Sequence, residues 1–214
     1  TGTITKGKLE VIGLMDGELN SYHTEYELQN LPRLHNLFKK SLICNNASTY
    51  DEKGNPIGGN ITDRALLNFI KTKSVDYQKL ETIPFNSKDK FSVTKIKDIK
   101  EEKLIKGAPE VILKHCTSFY DKYGKKRRFY DKDKYQNKIN SFTKQGIRVL
   151  ALAINDNYDL NNTFLNLTLV GIVLIKDEVR KEAIEGIKLV NKAHIQTVMI
   201  TGDNKDTAFS IGKE

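Results

Sequence analysis

The interpretation of this chain depends most on Leu104-Ile105-Lys106-Gly107-Ala108-Pro109-Glu110-Val111-Ile112. Two apolar residues lead into a lysine, a Gly-Ala pair follows, and a proline opens a second apolar run. The pattern predicts a buried strand end, a tight turn and a helix start. Glycine and alanine let a ligand approach the backbone closely, and Lys106 would place a positive charge on a pocket floor. An ordinary strand-to-helix turn with a solvated lysine fits the stretch equally well.

Composition narrows the class of protein. The 214 residues are 38% hydrophobic and 29% charged, enough for one large or two modest soluble domains. The net charge of +8 favours a polyanionic partner, either nucleic acid or a nucleotide phosphate. Cys44 and Cys116 have no CxxC spacing and are interpreted as reduced thiols in a cytosolic setting. No apolar run is long enough to cross a bilayer, and no signal-peptide pattern opens the chain.

Apolar periodicity predicts an α+β body. Helices are predicted over residues 31–45, from a Thr62 cap onward, over 109–116 and over 133–145, with Gly146 as the last stop. Strands are predicted at 9–12, 83–85, 91–96, 103–106, 147–154 and 167–175, with a hairpin over 120–130. The middle of the chain therefore has the mixed strands and helices of an α+β domain.

The C-terminal part has a different order of predicted elements. A helix is predicted over 178–192, a buried strand over Thr197–Ile200, a turn over 201–204 and a further helix beyond it. This alternation is typical of a doubly wound α/β fold, in which ligands bind at the carboxyl ends of strands. Thr201, Gly202 and Asp203 are candidate phosphate-binding residues there. A plain turn with Asp203 as helix cap fits the same tripeptide equally well.

Several ordered motifs together resemble one family. Thr1-Gly2-Thr3, Lys106-Gly107-Ala108-Pro109-Glu110, Asp177 with Arg180, and Thr201-Gly202-Asp203-Asn204 occur in this order. The chain resembles the cytoplasmic catalytic portion of P-type cation-transporting ATPases, nearest the calcium-pump-like branch. The resemblance implies an α+β nucleotide-binding domain (residues 9–174), with an antiparallel sheet flanked by helices. This domain would be inserted into a partial α/β haloacid-dehalogenase-like phosphorylation domain (residues 1–8 and 175–214).

The resemblance also implies the residues of the site. It places a phosphorylated aspartate just before Thr1, outside the sequence. Phosphate contacts would come from Thr1, Thr201, Gly202 and Asp203, and the Thr1 carbonyl would bind Mg²⁺. ATP would stack its adenine on Phe85, an aromatic face suited to a purine, although a core phenylalanine is the simpler alternative. The other implied nucleotide-binding residues are Asp63, Lys90, Lys106, Gly107 and Arg148.

Arg148 gives a physical argument of its own. An arginine in an otherwise apolar strand needs a partner, and a bidentate phosphate contact supplies one. A salt bridge to a neighbouring carboxylate is the alternative.

Three departures from the family pattern leave the branch, and with it the transported ion, open. Asp63 stands where calcium pumps usually have a glutamate that reaches the adenine amino group. Lys88-Asp89-Lys90 lacks the arginine that usually precedes the pocket lysine. Asp177-Glu178-Val179-Arg180 lacks both hinge prolines.

The expected protein is the ATP-binding cytoplasmic portion of a membrane cation pump. ATP and Mg²⁺ are the implied cofactors, and the transmembrane and actuator domains of the same pump are the implied partners. Because the chain lacks an initiator Met and ends within a helical pattern, we expect an excised fragment, which we also expect to be monomeric. Because the resemblance places the nucleophilic aspartate before Thr1, we expect the fragment to bind nucleotide without catalysis. One alternative is a haloacid-dehalogenase-like phosphatase. The other is a nucleic-acid-binding module that uses the basic run Lys125-Lys126-Arg127-Arg128, although such a run is more often a solvated surface segment. A metal site at His115-Cys116 is not expected, because no further spaced ligands accompany it.

Overall fold

The computed structural model describes residues 3–71, 75–157, 161–201 and 205–213. The strands in these ranges are β1 (Thr5–Asp16), β2 (Ser21–Tyr22), β3 (Ser48–Tyr50), β4 (Pro56–Gly58), β5 (Gln78–Ile83), β6 (Phe91–Lys97), β7 (Glu101–Gly107), β8 (Cys116–Tyr120), β9 (Lys126–Arg128), β10 (Arg148–Asn155) and β11 (Leu167–Val179). The helices are α1 (Glu25–Gln29), α2 (Pro32–Cys44), α3 (Ile61–Phe69), α4 (Pro109–Ile112), α5 (Lys132–Thr143), α6 (Lys181–Lys192) and α7 (Lys205–Lys213).

One large sheet organises the molecule. Its strands follow the order β2-β1-β11-β10-β7-β6-β5, and the paired neighbours run antiparallel. β8 joins β11 in parallel and carries β9, while β3 and β4 form a separate hairpin. The predicted α+β class with a large antiparallel sheet is confirmed.

Helices cover both faces of this sheet, which explains the strands that are apolar on both sides. Residues of α2 and α3 pack on one face against alternate strand residues such as Leu104 and Leu152. Residues of α4 and α5 pack on the other face against Ile105, Ala151 and Ala153. Because successive strand side chains point to opposite faces, β7 and β10 contribute to both cores.

Most predicted elements are present with shifted ends. Helix α2 matches the predicted 31–45, and α5 is followed by Gly146 at φ +72°, a conformation that glycine tolerates best. Helix α3 is capped by Asn60 instead of the predicted Thr62, and the Asn60 side chain accepts a hydrogen bond from the Asp63 amide at 2.9 Å. The strand predicted at 83–85 is wrong in position, because β5 ends at Ile83, before Pro84.

Two C-terminal predictions are wrong. Residues 197–200, predicted as a buried strand, form no strand, and Ile200 is 95% exposed. A buried parallel strand needs strands on both sides, and the described ranges place none beside this run. The helix predicted from residue 178 begins at Lys181, because Val179 pairs with Thr5 at the end of β11.

The predicted domain boundaries fall inside the two long strands. Residues 8/9 lie within β1 and residues 174/175 within β11, and these strands pair from Thr5↔Val179 to Asp16↔Gly171. Burial of β11 is complete up to Ile175 and partial beyond it. The sheet core therefore ends close to the boundaries, whose assignment stays a prediction.

Candidate functional site

A pocket of about 510 Å³ opens at the end of the sheet where α4 begins. Three of the sequence-predicted site residues line it: Phe85, Lys90 and Arg148. Phe85 and Lys90 come from the connection between β5 and β6, and Arg148 comes from the start of β10, so two distant parts of the chain meet here. The rest of its wall includes Ala108, Glu110, Leu150 and the α5 residues Gln136 and Asn140. The pocket thus combines an aromatic ring, two cations and one carboxylate.

Phe85 is not a core residue. Its side chain belongs to the segment between β5 and β6, and the residue is 52% exposed. Pro84 has no backbone N–H to donate, which suits the end of strand pairing just before this residue. The simpler alternative of a buried phenylalanine is therefore excluded, and an aromatic face is available at the pocket.

The loop that carries Lys90 is held by its own hydrogen bonds. The Asn86 side chain accepts from the amides of Lys88 and Asp89, and the Lys90 amide donates to the Asn86 carbonyl at 2.9 Å. Lys90 has φ +60°, an uncommon conformation for a residue with a side chain. The Ala108 amide donates to the Lys90 carbonyl at 2.9 Å, which ties this loop to the start of α4.

Position 107 has no room for a side chain, because backbone atoms of the neighbouring segment lie too close. A Cβ added there would lie 2.4 Å from the Lys90 carbonyl oxygen and 2.8 Å from the Phe91 Cα. The close approach predicted for a ligand is therefore occupied on this side by the loop before β6. The small residue at position 107 lets β7 and the Lys90 loop meet.

Lys106 faces away from this pocket. Its Nζ donates to Asp63 Oδ1 on α3 at 2.7 Å, and both side chains are more than nine-tenths buried. Burial lowers the pKa of Lys106, and the adjacent Asp63 carboxylate opposes that shift. Neither residue is among those that line the pocket. The structure thus brings these two predicted site residues together, but on the α2–α3 side of the sheet.

Arg148 is at the first position of β10, and it is exposed. The prediction that this arginine lies inside an apolar strand is therefore wrong, because the apolar part of β10 starts after it. Its position on the rim of the pocket still makes its guanidinium accessible to an anion. Lys90 Nζ contacts Glu110 Oε1 at 3.1 Å on the same rim.

The predicted phosphate-binding set falls largely outside the described residues. Thr1, Gly202 and Asp203 lie there, and so does the Thr1 carbonyl predicted to bind Mg²⁺. Thr201 is described and exposed, but it is not part of the pocket wall. Within the described ranges, no group of three or more His, Cys, Asp and Glu residues is arranged to hold a metal ion.

The beginning of β1, just after the N-terminal motif, contacts the motif residues Asp177 and Arg180 at the end of β11. Thr5, near the N-terminal motif, donates its hydroxyl to Asp177 Oδ2 at 2.7 Å, and Arg180 Nε donates to the Thr5 carbonyl at 3.0 Å. The Arg180 amide also donates to the Ile4 carbonyl at 2.9 Å. The beginning of β1 and the end of β11 are therefore joined by side chains as well as by strand pairing.

The remaining candidates behave as structural residues. Cys116 is fully buried, and burial raises its pKa from 9.0 to about 12. In the basic run, Arg127 pairs with Asp121 at 2.8 Å and Lys126 with Asp156 at 3.1 Å. Half of that run is thus neutralised by the protein itself.

Sequence reasoning did not find Glu110, Gln136 and Asn140 as parts of the pocket. Glu110 lies in the first turn of α4, where a carboxylate is favourable for the helix alone, so its position in the sequence does not indicate a pocket. The two α5 residues belong to the polar side of an amphipathic helix, and no local signal separates a pocket wall from an ordinary solvated surface.

The fold and the pocket define a class of protein: an α+β domain with an aromatic and cationic pocket at one end of the strands of an antiparallel sheet. Residues 33–182 match the family model described as the P-type ATPase cytoplasmic domain N. This match covers more than half of the chain, and the chain therefore belongs to the P-type ATPase family. Among the described residues, no helix has both the length and the apolar character needed to cross a membrane.

Curated relatives agree with this family. Calcium-transporting ATPase 1 of Bacillus cereus is 32% identical over all of this chain and 25% of its own length. Calcium-transporting ATPase PAT1 of Dictyostelium discoideum is 34% identical over 72% of this chain and 15% of its own length. Plasma membrane calcium-transporting ATPase 3 of Rattus norvegicus is 30% identical over 99% of this chain and 19% of its own length. The chain thus spans at most about a quarter of these relatives.

Proposed function

We propose that this chain is the ATP-binding part of a membrane cation-transporting P-type ATPase, with calcium as the transported ion. The observation that carries the proposal is that Arg148, at the start of β10, lines one pocket together with Phe85 and Lys90, which both belong to the β5–β6 connection. An aromatic face and two cations suit a purine base joined to a polyphosphate. Calcium is proposed because the relatives described above carry it in their names.

In the proposed complex, the adenine ring stacks on Phe85, and Lys90 and Arg148 face the negative charge of the phosphates. The apolar wall at Leu150 would exclude water from one edge of the ring. Asp63 and Lys106 would act behind the pocket, because their ion pair fixes the end of β7.

For the whole pump we propose the family's reaction. The γ-phosphate would pass to an aspartate that the resemblance places just before Thr1, with Thr1, Thr201, Gly202 and Asp203 around it. Such a transfer depends mainly on positioning and on neutralising charge. Mg²⁺ would reduce the charge of the phosphates. The nucleotide-binding domain would be inserted into a haloacid-dehalogenase-like domain, and the transmembrane and actuator domains of the same pump would be its partners.

Nucleotide titration of the ¹⁵N-labelled chain tests the proposal. We expect ATP to shift amide signals near Phe85, Lys90 and Arg148, and the Phe85→Ala variant to bind at least fivefold more weakly, since stacking on an aromatic ring contributes about 1–3 kcal/mol per base. Because Phe85 is half exposed, we expect this variant to keep its fold. Tyr26→Ala is a matched control, because Tyr26 is exposed and lies in another groove. Equal ATP affinity in wild type and Phe85→Ala would contradict the stacking site.

A further inference from the structure

The contact between Lys90 and Glu110 at the rim of the pocket has no role in the proposal above. Lys90 Nζ lies 3.1 Å from Glu110 Oε1, and both side chains are more than half exposed. Both residues line the same pocket as Phe85 and Arg148. A cation proposed to receive the ligand is therefore already engaged with a carboxylate of the protein.

The backbone holds these two side chains opposite each other. The Lys90 amide donates a hydrogen bond to the Asn86 carbonyl, and the Lys90 carbonyl accepts one from the amide of Ala108, two residues before Glu110. Gly107 brings the two segments into backbone contact. Because both side chains are exposed, rotation about their own bonds is enough to exchange this contact for another.

Charge decides what the contact does. The charged residues among those lining the pocket are Lys90, Arg148 and Glu110, so the wall carries a net charge of about +1. A polyphosphate that approaches Lys90 must displace the Glu110 carboxylate or share the ammonium with it. The carboxylate also repels the incoming anion directly.

From these contacts we infer that Glu110 competes with the nucleotide phosphates for Lys90. Glu110 thereby lowers the affinity of the pocket for any polyphosphate that approaches Lys90, so that a ligand needs the added contact of a ring with Phe85 to bind tightly. This inference rests on the proposed function, since it concerns the same pocket. Its ligand class is a purine nucleoside polyphosphate as opposed to a bare polyphosphate.

The test compares Glu110→Gln with wild type by calorimetric titration of ATP and, separately, of inorganic tripolyphosphate. We expect Glu110→Gln to bind both ligands about two- to fivefold more tightly at low salt, the range that an exposed ion pair supports. The gain should shrink as salt is added, because exposed charges are screened. Glu110→Asp keeps the charge and should stay closer to wild type.

Two controls assign the effect to Lys90. In a Lys90→Met background, the Glu110→Gln change should give a smaller gain, because the cation it releases is absent. Glu52→Gln removes an exposed carboxylate in the β3–β4 turn, outside the pocket, and should leave both affinities unchanged.

The outcomes separate this inference from the proposed function. ATP binding by wild type with equal affinity in Glu110→Gln overturns the competition alone. An equal gain in the Lys90→Met background also overturns it, since the effect would then not pass through Lys90. No ATP binding by either protein overturns the proposed function and this inference together.

Discussion

Lys106 and Asp63 form a buried ion pair across 43 residues of sequence, with Nζ 2.7 Å from Oδ1. The pair joins the end of β7 to the first turn of α3, where Asn60 holds the helix start. Each charge is shielded from water, so each depends on the other for compensation. The pair is therefore a structural connection between the sheet and the helix layer that covers it.

Lys106→Met should lower the free energy of unfolding by about 3–5 kcal/mol, because it leaves the Asp63 carboxylate buried without its partner. Urea unfolding followed by circular dichroism measures the change. The double variant Lys106→Met with Asp63→Asn should recover a large part of the loss, since no net charge then remains buried. A double variant as unstable as the sum of the two single variants would contradict the pair.

Gly107→Ala should destabilise the protein by about 1–3 kcal/mol, the usual cost of forcing extra volume into a packed site. The added methyl group would meet backbone atoms of Lys90 and Phe91, which cannot rotate away. ATP affinity should fall as well, because the same contact positions Lys90 at the pocket. Thermal unfolding and ATP titration measure the two effects.

Gly186→Ala is the matched control for that substitution. Gly186 lies within α6, and a Cβ there would meet nothing within 4 Å. The change should stabilise the helix by up to about 1 kcal/mol, since alanine has the higher helix propensity. If Gly107→Ala were as harmless as this control, the close approach at position 107 would be refuted.

The basic run tests the remaining non-enzymatic alternative. Lys126 and Arg127 already pair with Asp156 and Asp121, so we neutralise the other two residues in a Lys125→Gln, Arg128→Gln variant. We expect ATP affinity to stay unchanged and single-stranded DNA to show no measurable binding to either protein at about 150 mM salt. DNA binding that falls steeply with salt and is lost in the variant would support a nucleic-acid module instead.

Local sequence patterns predicted much of the sheet and its helices. The apolar spacing along α2 and the strand-turn-helix pattern around Lys106 are local signals, and the structure has both elements where they were expected. Phe85, Lys90 and Arg148 were identified through the family resemblance, and their convergence depends on the pairing order of the sheet. That order is set by contacts between distant segments, which no local pattern reports.

The errors have the same physical origin. The run at 197–200 has the apolar residues of a buried strand, but burial requires neighbouring strands that the described residues do not supply. Lys106 was expected on a pocket floor, yet the pleat of β7 points its side chain to the face covered by α3. In both cases the outcome depends on a partner from elsewhere in the chain, which the local pattern does not identify.

Alkaline pH should weaken the fold through Cys116. Burial raises the pKa of its thiol from 9.0 to about 12 in the folded protein, whereas the unfolded chain titrates near 9.0. Between these values the unfolded state releases a proton that the folded state retains, so the free energy of unfolding falls as pH rises. Below about pH 8 this thiol is protonated in both states and contributes no pH dependence.

Urea unfolding at several values between pH 8 and pH 10.5 measures this effect. Cys116→Ala should start from a lower stability, because the buried sulfur is lost, but its stability should fall less steeply with pH than that of wild type. One thiol contributes a slope that approaches about 1.4 kcal/mol per pH unit. Cys44→Ala is the control. Burial also raises the pKa of Cys44, but nearby lysines oppose that shift, so this variant should change the pH slope less than Cys116→Ala does. Parallel curves for wild type and Cys116→Ala would show that the thiol stays protonated in the unfolded chain or ionises equally in both states.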